Sequence, residues 1–118
     1  MIRPILLIAA LASALVAGIA AAQGSAPAGD AAKGREKVQM CKGCHGIDGW
    51  RTAYPEVYHV PKIAGQQPAY LLAALKAYKT GDRTHPSMVA IAASLSDQYM
   101  ANLAAYYAQS GLATAGKR

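Results

Sequence analysis

The sequence predicts an all-α domain of three main helices, one short helix and long loops. Three observations carry that prediction. Apolar residues recur at helical spacing in three separate stretches, each opened by a capping residue or a proline. No stretch alternates apolar and polar residues over the length of a strand. The run Cys41-Lys42-Gly43-Cys44-His45 holds both cysteines of the chain, and its spacing has meaning on a helix, where one turn brings the two thiols to the same side.

Taken in order, the chain opens with Arg3 and an apolar run from Ile5 to Ala22 broken by Ser13 and Gly18. Ala20-Ala21-Ala22 before Gln23 fits a small-residue cleavage site, so residues 1–22 read as a secretory signal peptide. The competing reading is an uncleaved membrane anchor, because the run is nearly long enough to span a bilayer. Cleavage leaves one domain at 23–118, of 118 − 22 = 96 residues. Residues 23–29 are rich in Gly, Ala, Ser and Pro and read as a flexible lead-in.

Asp30 is a good N-cap for a helix from Ala31 to about Met40, with Gly34, Val38 and Cys41 on one face. A glycine inside a helix weakens it, so Gly34 points to a close crossing by another backbone. Between Gly46 and Gln67, glycines and prolines break every periodicity, predicting a long ordered loop organised around something. Trp50, Tyr54 and Tyr58 lie there, suited either to the edge of a bound group or to the core. Pro68 opens the next helix, striped by Leu71, Leu72, Leu75 and Tyr78 and stopped by Gly81. Thr80 to Ser87 reads as a loop, with Pro86 breaking any helix, and Met88 to Ala93 as a short helix. Ser96 caps the last helix, with Asp97 in its first turn, ending about Ser110 before Gly111 and a frayed tail.

A domain this small has a marginal core and often depends on a staple. Two cysteines allow one disulfide at most, and there is no phenylalanine. A Cys-x-x-Cys-His run reads instead as a c-type haem attachment site. The two thiols bond to the two vinyl groups of one porphyrin edge, and His45 is carried beneath the ring to bind iron from one face. A zinc site needs a second Cys/His pair, a redox dithiol belongs beside a strand, and a plain disulfide leaves His45 without a role. Haem attachment demands a ligand on the far side of the iron. Met40 abuts Cys41 and cannot reach it, and Met100 suits the core of the last helix. Met88 follows a loop and is the preferred candidate, with His85 its rival and His59 a distant third.

These motifs, with Pro61-Lys62-Ile63-Ala64-Gly65-Gln66, Lys79-Thr80-Gly81-Asp82-Arg83 and Leu103-Ala104-Ala105-Tyr106-Tyr107, resemble those of the small bacterial class I c-type cytochromes. They are equally similar to one half of the dihaem periplasmic members. The resemblance implies the class I cytochrome c fold wrapped around one covalent haem c. It implies thioethers at Cys41 and Cys44, His45 and Met88 as the two iron ligands, and the Pro61 carbonyl accepting the His45 Nδ1–H. It also implies that Gly34 crosses the last helix near Leu103 and Tyr106. The family usually has an aromatic where Val38 stands, which implies a looser helix contact here.

An iron with both axial positions filled has no place for substrate, so the expected function is one-electron transfer and not catalysis. The expectation is a soluble carrier in the periplasm, exchanging electrons with redox proteins. The alternative is an electron-accepting subunit of a dehydrogenase or sulfur-oxidising complex. The formal charge of +6, or +5 once Arg3 is removed with the leader, favours partners with acidic docking surfaces. Peripheral membrane contact through a membrane redox complex is compatible with this. No block of five like charges marks a nucleic-acid tail, and no small-molecule substrate is expected.

Overall fold

The computed structural model describes residues 26–54 and 57–115, the side chains as far as Ser110. The leader and its cleavage site, Pro55, Glu56 and the basic pair Lys117 and Arg118 lie outside the described residues. The element order is α1 (Ala31–Lys37), α2 (Gln39–His45), β1 (Arg51–Thr52), β2 (Tyr58–His59), α3 (Pro68–Thr80), α4 (Pro86–Ala93) and α5 (Asp97–Ala115). Among the described residues no helix is long and apolar enough to cross a membrane.

Asp30 caps α1 as expected, its Oδ1 accepting from the amides of Ala32 at 2.9 Å and Lys33 at 3.3 Å. The first helix does not stop near Met40. It bends at Val38, whose carbonyl accepts from both Cys41 and Lys42 at 3.0 Å, and continues as α2 through the whole cysteine motif. Gly34 meets α5 backbone to backbone: a Cβ there would collide with the Asn102 carbonyl and with Tyr106. Val38 itself is 1% exposed and packed with Leu71, Ala104 and Tyr107, and Tyr106 on the facing helix packs against this cluster.

The lead-in is pinned at its end instead of flexible throughout. Gln98 Nε2 donates to the Ala28 carbonyl at 2.8 Å, and the Asp30 amide donates to Asn102 Oδ1 at 2.9 Å. Asn102, 2% exposed, also accepts from Gln98 at 3.1 Å, so its buried amide oxygen is doubly satisfied.

The expectation of no strand is corrected by a small antiparallel hairpin, pairing Arg51 with His59 and Thr52 with Tyr58. Two residues per strand are too few to show an alternation, which is why no pattern announces it. Further along the same loop, Gly65 takes φ +80 and donates its amide to the Tyr107 carbonyl at 2.8 Å, tying the loop to α5.

Pro68 sits in the first turn of α3 and Gly81 closes it at φ +89, a left-handed value that favours glycine. Pro86 begins α4 instead of breaking it, since the first helical position needs no amide hydrogen. Ser96 caps α5, accepting from the Tyr99 amide at 3.3 Å, and the helix runs through Gly111 to Ala115. Two core clusters meet around α5: Val38, Leu71, Ala104 and Tyr107 in one, Ala92, Leu95, Met100 and Leu103 in the other. Burying Met100 or Leu103, both within 2% of full burial, stabilises by about 1.5–3 kcal/mol each. Cys41 and Leu72 touch both clusters, so the first cysteine of the motif stands at their junction.

Candidate haem-binding cleft

The cysteines and His45 share one helix, α2, and neither thiol is in a disulfide. Cys41 is half-buried and Cys44 exposed. Burial pushes the Cys41 thiol above its ordinary value, with the neighbouring Tyr107 hydroxyl partly offsetting this. No atom lies within 4 Å of where a Cβ on Gly43 would stand, so the surface between the cysteines is open to a large group.

At the end of α2, His45 turns into a cleft of about 530 Å³. Its Nδ1 donates to the Pro61 carbonyl at 2.7 Å. That contact fixes the ring and leaves Nε2 as the nitrogen free to bind a metal. Pro61, Ile63 and Gln66 form one wall, Leu71, Ala74, Leu75 and Tyr78 of α3 another, and Thr84, His85 and Met88 a third. Met88 stands in the first turn of α4, half-buried, and lines the same cleft as His45.

His85 also lines the cleft, its ring edge-on to Tyr58 at 5.2 Å. Its Nδ1 is buried without a hydrogen-bond partner. The Tyr107 hydroxyl is the other such atom among the described residues, and burial first, then Cys41, push its ionisation well above the ordinary phenol value. An orphaned polar atom beside an apolar cleft, as His85 Nδ1 is, fits a site built around a further group. Of the three loop aromatics, Tyr58 reaches the cleft, whereas Trp50 and Tyr54 are 41% and 88% exposed and neither line it nor enter the core. His59 lines the cleft as well.

These residues fit a c-type haem. The cleft is apolar, falls within the range of about 300–1,000 Å³ usual for cofactor sites, and is lined by His45, His59, His85 and Met88, whose side chains are of the types that bind haem iron. Among the described residues no three His, Cys, Asp or Glu gather as a zinc site would require. Arg83, lying 4.8 Å from the Tyr78 ring, and Lys62, paired with Asp48 at 2.9 Å, bring positive charge to the rim. Ile63 and Arg83, which stand in the motifs that carry the resemblance, and Tyr70 also line the cleft, although the sequence reading assigns none of them a site role. They reach the cleft from three separate segments, so only a known fold would have gathered them.

Residues 31–110 match the family model described as cytochrome c. The chain is 44% identical over 81 residues to cytochrome c4 of Pseudomonas aeruginosa, covering 69% of this chain and 38% of that protein. It is 42% identical over 83 residues to cytochrome c-554(548) of Halomonas halodenitrificans, covering 68% of this chain and 95% of that protein. A third relative, cytochrome c-552 of Acidithiobacillus ferridurans, is 40% identical over 110 residues, or 89% of this chain and 44% of that protein. The chain thus spans less than half the length of two of these relatives and nearly all of the other. With the fold, the helical Cys-x-x-Cys-His segment and these likenesses together, the chain belongs to the cytochrome c family.

Proposed function

We propose that this chain is a soluble one-electron carrier of the periplasm that holds one haem c through thioethers at Cys41 and Cys44, with His45 and Met88 as the axial ligands. The observation that carries this reading is that His45 and Met88 line one apolar cleft while the Pro61 carbonyl occupies His45 Nδ1 at 2.7 Å. When bound there, haem supplies an iron centre that gains and loses a single electron. His45 is held in one tautomer by Pro61, which raises the basicity of Nε2. Met88, as a thioether, favours the reduced metal and so raises the potential. Leu71, Leu75 and Ile63 keep water from the cleft and lower the polarity around it.

Redox partners follow from family membership, and their acidic character from the excess of positive charge. Lys42 and Arg83 lie over tyrosine rings at 6.0 and 4.8 Å, which holds these cations at the surface. Association with an acidic partner slows as salt rises. Removal of residues 1–22 on export is part of this proposal, and the intact mass of the haem-loaded protein tests it.

A second reading, a subunit of a larger redox complex, is favoured by exposed apolar side chains near the hairpin. Ile47, Trp50, Tyr54 and Val57 are 46%, 41%, 88% and 68% exposed. Co-purification with a catalytic subunit supports it, and a monodisperse monomer counts against it.

The test of the ligand set is a redox titration with absorption spectra of wild type, Met88→Ala and His85→Ala. Met88→Ala is expected to lower the potential and abolish the near-infrared sulfur-to-iron band, and His85→Ala to keep both. If Met88→Ala stays low-spin with an unchanged potential, Met88 is not the ligand.

A further inference from the structure

The segment that carries Met88 is held at its base chiefly by Lys79. Residues 80–96 leave the end of α3, run through α4 and return to the start of α5. Lys79, in the last turn of α3, bridges the two feet of this strap. Its Nζ donates to the Leu95 carbonyl at 2.8 Å and lies 3.3 Å from Asp97 Oδ1. Each partner suits its position, since a cation near the C-terminus of α3 and an anion in the first turn of α5 both complement the helix dipoles. Lys76 also reaches Asp97, but at 3.7 Å and with no backbone contact. At the near foot the Thr80 hydroxyl contacts Lys76, Ala77 and Asp82, the Arg83 amide donates to Ala77, and the exposed Arg83 side chain lies along α3 beside Tyr70 and 4.8 Å from the Tyr78 ring.

Within the strap, firm apolar anchoring is confined to the far end. Ala92 and Leu95 are buried at 0% and 3% exposure, whereas Met88 and Val89 are half-buried and Pro86 and Ser87 exposed. Met88 therefore sits about one helical turn before Ala92 and about two before Leu95, at the end of α4 that packing holds least. We propose that Lys79 is a positioning residue for Met88: by fastening Leu95 and Asp97 to α3 it holds the strap shut and keeps the thioether on the cleft. This rests on the reading of Met88 as the distal ligand. The physical route is local opening, in which the strap lifts while the α1–α5 crossing stays folded. A hydrogen bond from a charged donor to a part-buried carbonyl is strong enough that losing it raises the open fraction about ten-fold.

The experiment uses the haem-loaded protein as wild type, Lys79→Leu, Lys79→Arg, Lys76→Leu and Met88→Ala. It reads the near-infrared sulfur-to-iron band of the ferric form against temperature, helix content against temperature, and the rate of carbon monoxide binding to the ferrous form. Lys79→Leu is expected to lose the band well below the temperature at which helix is lost, and to bind carbon monoxide about ten-fold faster. Lys79→Arg, which keeps a donor and the charge, restores most of the difference. Lys76→Leu, which removes an exposed ion pair, stays within about two-fold of wild type. A wild-type carbon monoxide rate in Lys79→Leu overturns the proposal. So does a band loss that moves in step with helix loss, because Lys79 would then stabilise the fold as a whole. If Met88→Ala retains the band, the distal assignment itself fails, a result the Lys79 variants cannot produce.

Discussion

The α1–α5 crossing and the cleft between α3, α4 and the hairpin loop are built on opposite terms. At the crossing, Gly34 lets two backbones touch, Val38 is sealed among Leu71, Ala104 and Tyr107, and the one buried polar residue, Asn102, has its oxygen satisfied twice. At the cleft, a space of about 530 Å³ runs between apolar walls, and buried His85 Nδ1 has no partner. The crossing is closed by protein atoms, the Tyr107 hydroxyl beside Cys41 apart. The cleft leaves room for a bound group, which on the proposed reading gives a small domain without phenylalanine an apolar plate to fold against.

Changes at the crossing should act on stability, and changes at the cleft on the iron. The largest expected effect is Gly34→Ala, whose Cβ meets the Asn102 carbonyl, a backbone atom that cannot step aside. Denaturant unfolding should show a loss of about 3 kcal/mol. Asn102→Leu strands the Asp30 amide and removes one of the two acceptors of Gln98 Nε2, and should cost about 1–3 kcal/mol by the same measurement, with little change in the reduction potential. A large shift in potential from either variant would erase the distinction between the two sides.

Tyr107→Phe should be the smallest, within about 1 kcal/mol of wild type at neutral pH, because the hydroxyl it removes faces only the weakly accepting sulfur of Cys41. Its signature is in pH. The folded state holds the Tyr107 proton more tightly than the unfolded chain, so that contribution is present below the ordinary phenol value of about 10 and is lost as pH rises above it. Tyr107→Phe should therefore resist alkaline unfolding better than wild type in a pH titration of helix content.

Much of this contrast was legible beforehand where the relevant residues are adjacent in sequence. Cys41 to His45 is five consecutive residues, Asp30 and Ser96 cap the helices that follow them, and Gly81 ends α3 because a left-handed residue is needed there. Gly34 announced a crossing because a glycine within a helix has little other use. What escaped depends on long-range pairing. Nothing local in Ala28 and Gly29 tells that Gln98 and Ala101 will hold them, and Lys79 looks like any surface lysine until Leu95 and Asp97 arrive beside it. Gly111 misled in the other direction, since a glycine near a helix end permits a stop without compelling one, and α5 continues to Ala115.

The central claim is that the cleft presents an imidazole and a thioether to one iron. Iron X-ray absorption of the purified ferric protein measures this directly, beside Met88→Ala and His85→Ala. The account predicts one sulfur in the iron's first coordination shell, absent from Met88→Ala and retained in His85→Ala. A wild-type shell of nitrogen alone, or a sulfur that survives Met88→Ala, would contradict it.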